Sequence, residues 1–131
     1  MNRKLACMVA TVAWVGSAAG ALAADAAAGE SLFNKKCKVC HHIGEGAKNF
    51  VGPELNGLIG RKAGSVEGYA YSDAMKNSGI TWDEAIFKEF VTNPKAKVPG
   101  TKMIFAGLSK ESDRDNLFAF ISQFDASGAK K

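Results

Sequence analysis

Cys37-Lys38-Val39-Cys40-His41 constrains this chain more than any other stretch. Two thiols three positions apart, followed at once by an imidazole, is the spacing of covalent haem attachment. Each thiol adds to one vinyl group of the porphyrin, and the two residues between them let the backbone turn so that both sulfurs face one ring edge. His41 is then placed to offer a nitrogen to the iron as the proximal ligand. Three other uses of paired cysteines fit less well. A redox dithiol sits in a βαβ unit, and nothing here alternates as strand and helix. A zinc site draws four ligands from two separated pairs, yet outside this stretch the chain has only Cys7 and the adjoining His42. A Cys37–Cys40 disulfide would close a very small loop and leave His41 without a role.

The chain opens Met1-Asn2-Arg3-Lys4, runs uncharged from Leu5 to Ala24 and contains Ala21-Leu22-Ala23. A basic start, an apolar stretch and a small-x-small site predict a secretory signal peptide over residues 1–23, cleaved after Ala23 or Ala24. Twenty uncharged residues also approach the length of a membrane anchor, but their alanine and glycine content favours removal. Cys7 belongs to the discarded segment, too near the start for lipidation. Residues 24–131, about 108 in all, make one domain. That length supports only a modest apolar core, so a large apolar cofactor would help to fill it. Seventeen Lys and Arg against 13 Asp and Glu give +4. With Arg3 and Lys4 in the leader the remainder is only mildly basic, which argues against nucleic-acid binding. No membrane insertion is expected after cleavage.

Where the domain shows a period it is helical, and no stretch reads as a convincing strand. Asp25 is placed to cap a helix running to about Lys36, in which Gly29 marks a close approach to another helix. Residues 42–68 are glycine-rich and irregular, suited to backbone wrapped round a ligand. Tyr71 to Asn77 reads as a short helix ended by Gly79. Thr81-x-x-Glu84 has the form of a capping box opening a helix from Trp82 to about Val91, with Trp82, Ala85, Ile86, Glu89 and Phe90 on one face. Asn93-Pro94 stops or restarts it. Ser109 or Ser112 is expected to cap a last helix ending near Phe124, where Leu117, Phe120, Ile121 and Phe124 form the clearest apolar stripe. The expected fold is all-α: three main helices, short helices, and long loops round one covalently bound haem.

The second axial position of the iron needs a ligand. His42 adjoins His41 and cannot reach the opposite haem face, so sulfur ligation falls to Met75 or Met103. Met75 lies on an expected helix and fits a core role. Met103 follows the rigid Pro99-Gly100-Thr101-Lys102 segment, and the pattern favours it.

Asn93-Pro94-Lys95-Ala96-Lys97-Val98-Pro99-Gly100-Thr101-Lys102-Met103, followed by Ile104-Phe105-Ala106-Gly107, resembles the axial-methionine loop of class I cytochromes c, mitochondrial and soluble bacterial. The resemblance extends from Gly29 to Ile121. It implies that Met103 is the sixth ligand and that the Pro53 carbonyl accepts the proton on the far nitrogen of His41, fixing the ring. It implies that Arg61, Tyr71 and Trp82 hydrogen-bond the haem propionates, and that Thr101 is a donor on the methionine side. Gly29 and Phe33 would pack against Leu117 and Phe120. Two positions depart from the mitochondrial pattern. Phe90 stands where a tyrosine usually faces the methionine, and Met75 where an asparagine usually holds a buried water, so altered internal hydration is expected.

The function so implied is one-electron transfer by a soluble, monomeric periplasmic carrier with one haem c, not an enzyme. Lys35, Lys36, Lys38, Lys95, Lys97 and Lys102 flank the attachment and methionine loops and would steer the haem edge to acidic surfaces of membrane electron-transfer complexes. The alternative is a haem sensor or peroxidase-like protein with an open distal position, which requires that Met103 not bind.

Overall fold

The computed structural model describes Gly16 and residues 23–131. The signal peptide expected over 1–23, Cys7 included, lies outside the described residues apart from Gly16 and Ala23. Five helices follow one another: α1 Ala26–Lys36, α2 Asp73–Lys76, α3 Glu84–Thr92, α4 Pro94–Lys97 and α5 Glu111–Ile121. The only β pairing among the described residues is two isolated antiparallel bridges, Lys62 with Thr81 and Phe124 with Lys130. No described helix is long and apolar enough to cross a membrane. The expected all-α architecture is present, with α1, α3 and α5 as its main helices.

Helices α1 and α5 cross at Gly29. A Cβ built there would lie 1.9 Å from the main-chain oxygen of Asn116, so only hydrogen fits at the contact. Around it, Phe33 meets Phe120 with ring centroids 5.5 Å apart. Asp25 seals the end of the crossing: its side chain accepts from the Ala27 and Ala28 amides, and its own N–H donates to Asn116 Oδ1 at 2.8 Å. Leu117 and Ile121 on α5 are less than 2 % exposed, and burial on this scale contributes roughly 1.5–3 kcal/mol per side chain. Helix α3 joins α5 through Lys88 Nζ, which bonds Glu84 at 2.6 Å on its own helix and Asp115 at 2.7 Å on the other.

Three helices differ at their ends from the sequence expectation. Helix α3 is capped by Asp83, whose carboxylate accepts from the Ile86 amide at 2.8 Å, and not by Thr81. The reason is tertiary. Ile80, Arg61 and Trp82 are tied into a short extended pairing: the Ala63 N–H donates to Ile80 O, Trp82 N–H to Arg61 O and Gly60 N–H to Trp82 O. That pairing holds Trp82 outside the helix and beside Arg61. The apolar face of α3 is therefore Phe87, Phe90 and Val91, not one that includes Trp82. Helix α5 has Lys110 at its N-cap with no side-chain cap bond, so neither Ser109 nor Ser112 serves. Glu111 and Asp113 in its first turn offset the helix dipole instead. It ends at Ile121, short of Phe124, which stays buried in the pairing with Lys130. The short helix is narrower than expected, opening at Asp73 with Ser72 as its cap. Asn93 caps α4 as the Asn93-Pro94 break implies, accepting from the Ala96 amide.

Candidate functional site

The attachment motif continues directly from α1. The Cys37 N–H donates to Phe33 O, and Cys37 O accepts from both Cys40 N at 3.0 Å and His41 N at 2.8 Å. The motif is thus wound into a turn, and no disulfide joins the two cysteines. Before haem attachment, burial, reinforced by the neighbouring Cys40, pushes the Cys37 thiol up to about 11.

His41 sits 2.8 Å from the carbonyl oxygen of Pro53 through Nδ1. A carbonyl only accepts, so Nδ1 carries the hydrogen and Nε2 keeps its lone pair for a metal. Burial holds the imidazole below its ordinary pKa, partly opposed by the Pro53 bond, with Arg61 and His42 adding to the depression. A neutral ring is what ligation needs. Gly52 makes room for it: a Cβ there would fall 2.3 Å from His41 Cε1.

The methionine segment leaves α4 and returns to the core at Leu108, whose N–H donates to Val91 O. Thr101 N–H donates to Val98 O, and Thr101 Oγ1 accepts from the Met103 amide at 3.3 Å. Lys102 Nζ reaches across to the Ala70 carbonyl at 2.8 Å. Met103 and Phe105 pack against the same apolar core as Cys37, whereas Ile104 between them is 91 % exposed. Met75 is buried in that core as well, so packing alone serves both methionines, while only Met103 lies on an extended segment.

Arg61, Tyr71 and Trp82 form the third group. Arg61 is largely buried. Its Nη1 donates to Asn56 O at 2.9 Å and more weakly to Glu54 Oε1 at 3.4 Å, and Nη2 donates to Glu54 O at 3.1 Å. Its Nε–H is buried with no acceptor. Tyr71 Oη accepts from the Val66 amide at 3.1 Å, which leaves its own hydrogen to donate. Burial raises the Tyr71 hydroxyl above its usual pKa, so it stays a donor.

These residues fit a covalently attached haem. Two thiols, an imidazole with a free Nε2, and a thioether on the same apolar core are the donors it takes. The unpartnered Arg61 Nε–H would be satisfied by a haem carboxylate, and a buried donor without one is costly. Sequence reasoning missed the supports behind this set. Asn56 is buried and bridges Gly44 in both directions, accepting from its N–H and donating to its carbonyl, each at 2.8 Å. Asn49 ties the loop at Glu54 N to the carbonyl of Glu67. Arg114 holds the carbonyls of Leu108 and Ser109. All three act on loop carbonyls or amides, which leave no periodic trace in a sequence.

Comparison with known proteins agrees with the geometry. The family model described as Cytochrome c matches residues 26–125. Cytochrome c-554 of Methylosinus trichosporium is 62 % identical over 125 residues, covering 95 % of this chain and 94 % of its own. Cytochrome c2 of Blastochloris viridis is 62 % identical over 115 residues, 88 % of this chain and 90 % of its own. The solved structure of cytochrome cH from Methylobacterium extorquens superposes with a TM-score of 0.69 at 49 % identity, covering 75 % of this chain and 97 % of that one. The chain belongs to the cytochrome c family, as a non-enzymatic one-electron carrier with a single covalently bound haem c.

Proposed function

We propose that the chain is exported, loses residues 1–23, and works as a monomer of residues 24–131 that shuttles single electrons through the periplasm between membrane redox complexes. When bound, the haem supplies the ferric–ferrous couple. The chain's own residues do the rest. Cys37 and Cys40 would anchor the haem; His41, oriented by Pro53, and Met103, on the segment held by Thr101, would ligate its iron; Arg61, Tyr71 and Trp82 would receive its carboxylates. The free Nε2 of His41, set by the 2.8 Å bond at Nδ1, carries this reading. With both ligands bound, no substrate site would remain at the metal.

The surroundings support a carrier role. Phe90 and Met75 line the core with apolar groups, Phe90 edge-on to Trp82 at 5.1 Å, and neither offers internal water the strong hydrogen bond of a hydroxyl or an amide. Lys35, Lys36, Lys38, Lys95 and Lys102 are exposed, and Val39 and Ile104 beside them are exposed apolar groups. Lys97 is half-buried and paired with Glu89. Such a surface fits an acidic docking site, and its association rate with a membrane oxidase should fall steeply as salt is raised.

The deciding experiment is the ferric spectrum of protein purified from an export-competent host. Thioether ligation gives a weak long-wavelength sulfur-to-iron band, which Met103→Ala abolishes. A wild-type protein without that band, binding exogenous ligands freely, would be the open-site sensor or peroxidase-like alternative.

A further inference from the structure

Glu54 is a partly buried carboxylate that the reading above gives no part. Both its oxygens are used. Oε2 accepts from the Asn56 amide at 2.6 Å, closing a turn of three residues, and Oε1 lies 3.4 Å from Arg61 Nη1. The shorter contact is the informative one. Within the turn it closes, the carbonyls of Glu54 and Asn56 are the two acceptors that grip Arg61, at 3.1 and 2.9 Å. The guanidinium is therefore held by its Nη atoms on main-chain oxygens, which leaves the buried Nε–H facing elsewhere without an acceptor.

We propose that Glu54 is a positioning residue: its carboxylate pins the Glu54–Asn56 turn, and the turn's two carbonyls aim Arg61 at a haem carboxylate. The inference rests on the role given above to Arg61. Two alternatives are weaker. The direct Glu54–Arg61 ion pair is long and lies beside an open cleft of about 580 Å³ that Lys48 and Glu67 also line, so solvent and competing charges screen it. A purely local role for the turn ignores that both its carbonyls accept from one buried cation.

The test compares two neutral, similarly sized replacements in the haem-loaded protein, Glu54→Gln and Glu54→Met. Both remove the charge, and only glutamine keeps an acceptor for the Asn56 amide. Midpoint potential is measured by redox titration, and exchange of the Arg61 Nε–H by ¹⁵N-resolved NMR. We expect E54Q to keep slow exchange. E54M should exchange about tenfold faster, the effect of one lost hydrogen bond, with a potential below that of E54Q because the haem carboxylate is less neutralised. In a R61K background, where the fork is gone, the E54Q–E54M difference in potential should vanish. Equal potentials and equal exchange in E54Q and E54M overturn the proposal, as does a difference undiminished by R61K. If R61K alone leaves the potential unchanged, the role of Arg61 falls, and this inference with it. Should E54M not accumulate, E54A lacks the same acceptor and takes its place.

Discussion

The two sides of the site are held by different means. On the histidine side the ring of the proposed ligand is itself gripped: Nδ1 is bonded to Pro53 O, Gly52 is pressed against the ring, and the Gly52 N–H returns to Cys40 O. Behind it Asn56 locks Gly44, and Gly128 packs onto the same spot. On the methionine side nothing polar grips the Met103 side chain. The segment is fixed at its ends, by Leu108 to Val91 and by Gly107 packed on Thr92 O, and midway by the Lys102 bond to Ala70. A soft thioether offers only packing to hold it. Rigidity is thus built into one ligand and into the frame of the other, so the methionine side should open first.

Breaking the stiff side should cost the most. Gly52→Ala forces a Cβ into the His41 ring, with an expected loss of about 1–3 kcal/mol and a poor yield of haem-loaded protein. Urea unfolding and the absorbance ratio of haem to protein check both. Asn56→Ala strips two buried bonds from Gly44 and should cost roughly 1–3 kcal/mol in the same urea assay, while leaving imidazole binding to the iron nearly unchanged. Lys102→Ala should invert that profile. It removes one exposed bond worth about 1 kcal/mol or less, yet imidazole should displace Met103 faster, as stopped-flow absorbance would register. If N56A speeds imidazole entry more than K102A does, the contrast between the sides is wrong.

The smallest effect is a pH response behind the histidine side. The Ser127 hydroxyl, with the amides of Ser127, Ala129 and Gly128, holds the Asp125 carboxylate below its ordinary value of 3.8. A depressed carboxylate stabilises the fold above its unfolded pKa, and that contribution disappears as pH falls through the folded value. The Ser127 and Ala129 amide shifts should therefore stay constant down to about pH 4 and move only below it. The movement should be absent in Asp125→Asn.

Much of this architecture was legible because it rests on local chemistry. Asp25 caps α1 with its own side chain, Asn93 caps α4, and Gly29 marks the helix crossing. Thr81 misled because the signal for a capping box is local while the force that won is not: pairing with residues 60–63 claimed Thr81 and Trp82 before a helix could. Neither Ser109 nor Ser112 makes a cap bond, although α5 forms as its apolar stripe required. Of the proposed site, the spacing of Cys37, Cys40 and His41 pointed to the attachment stretch and the likeness of the methionine loop to Met103, while the Pro53 carbonyl does lie against His41 as that likeness implied. Glu54, Asn56 and Lys102 were invisible as supports, since each works through a carbonyl or amide whose position only the folded chain defines.

The Gly29 crossing carries a consequence for how the protein comes into being. One of its halves leaves the ribosome among the first residues of the domain and the other among the last, so α1 has no partner at Asn116 until synthesis is nearly complete. A nascent chain must therefore stay unfinished through most of its emergence, a state that suits the export proposed above. The cysteine pair, set directly after α1, emerges early with it, long before the helix that pins α1 has been made.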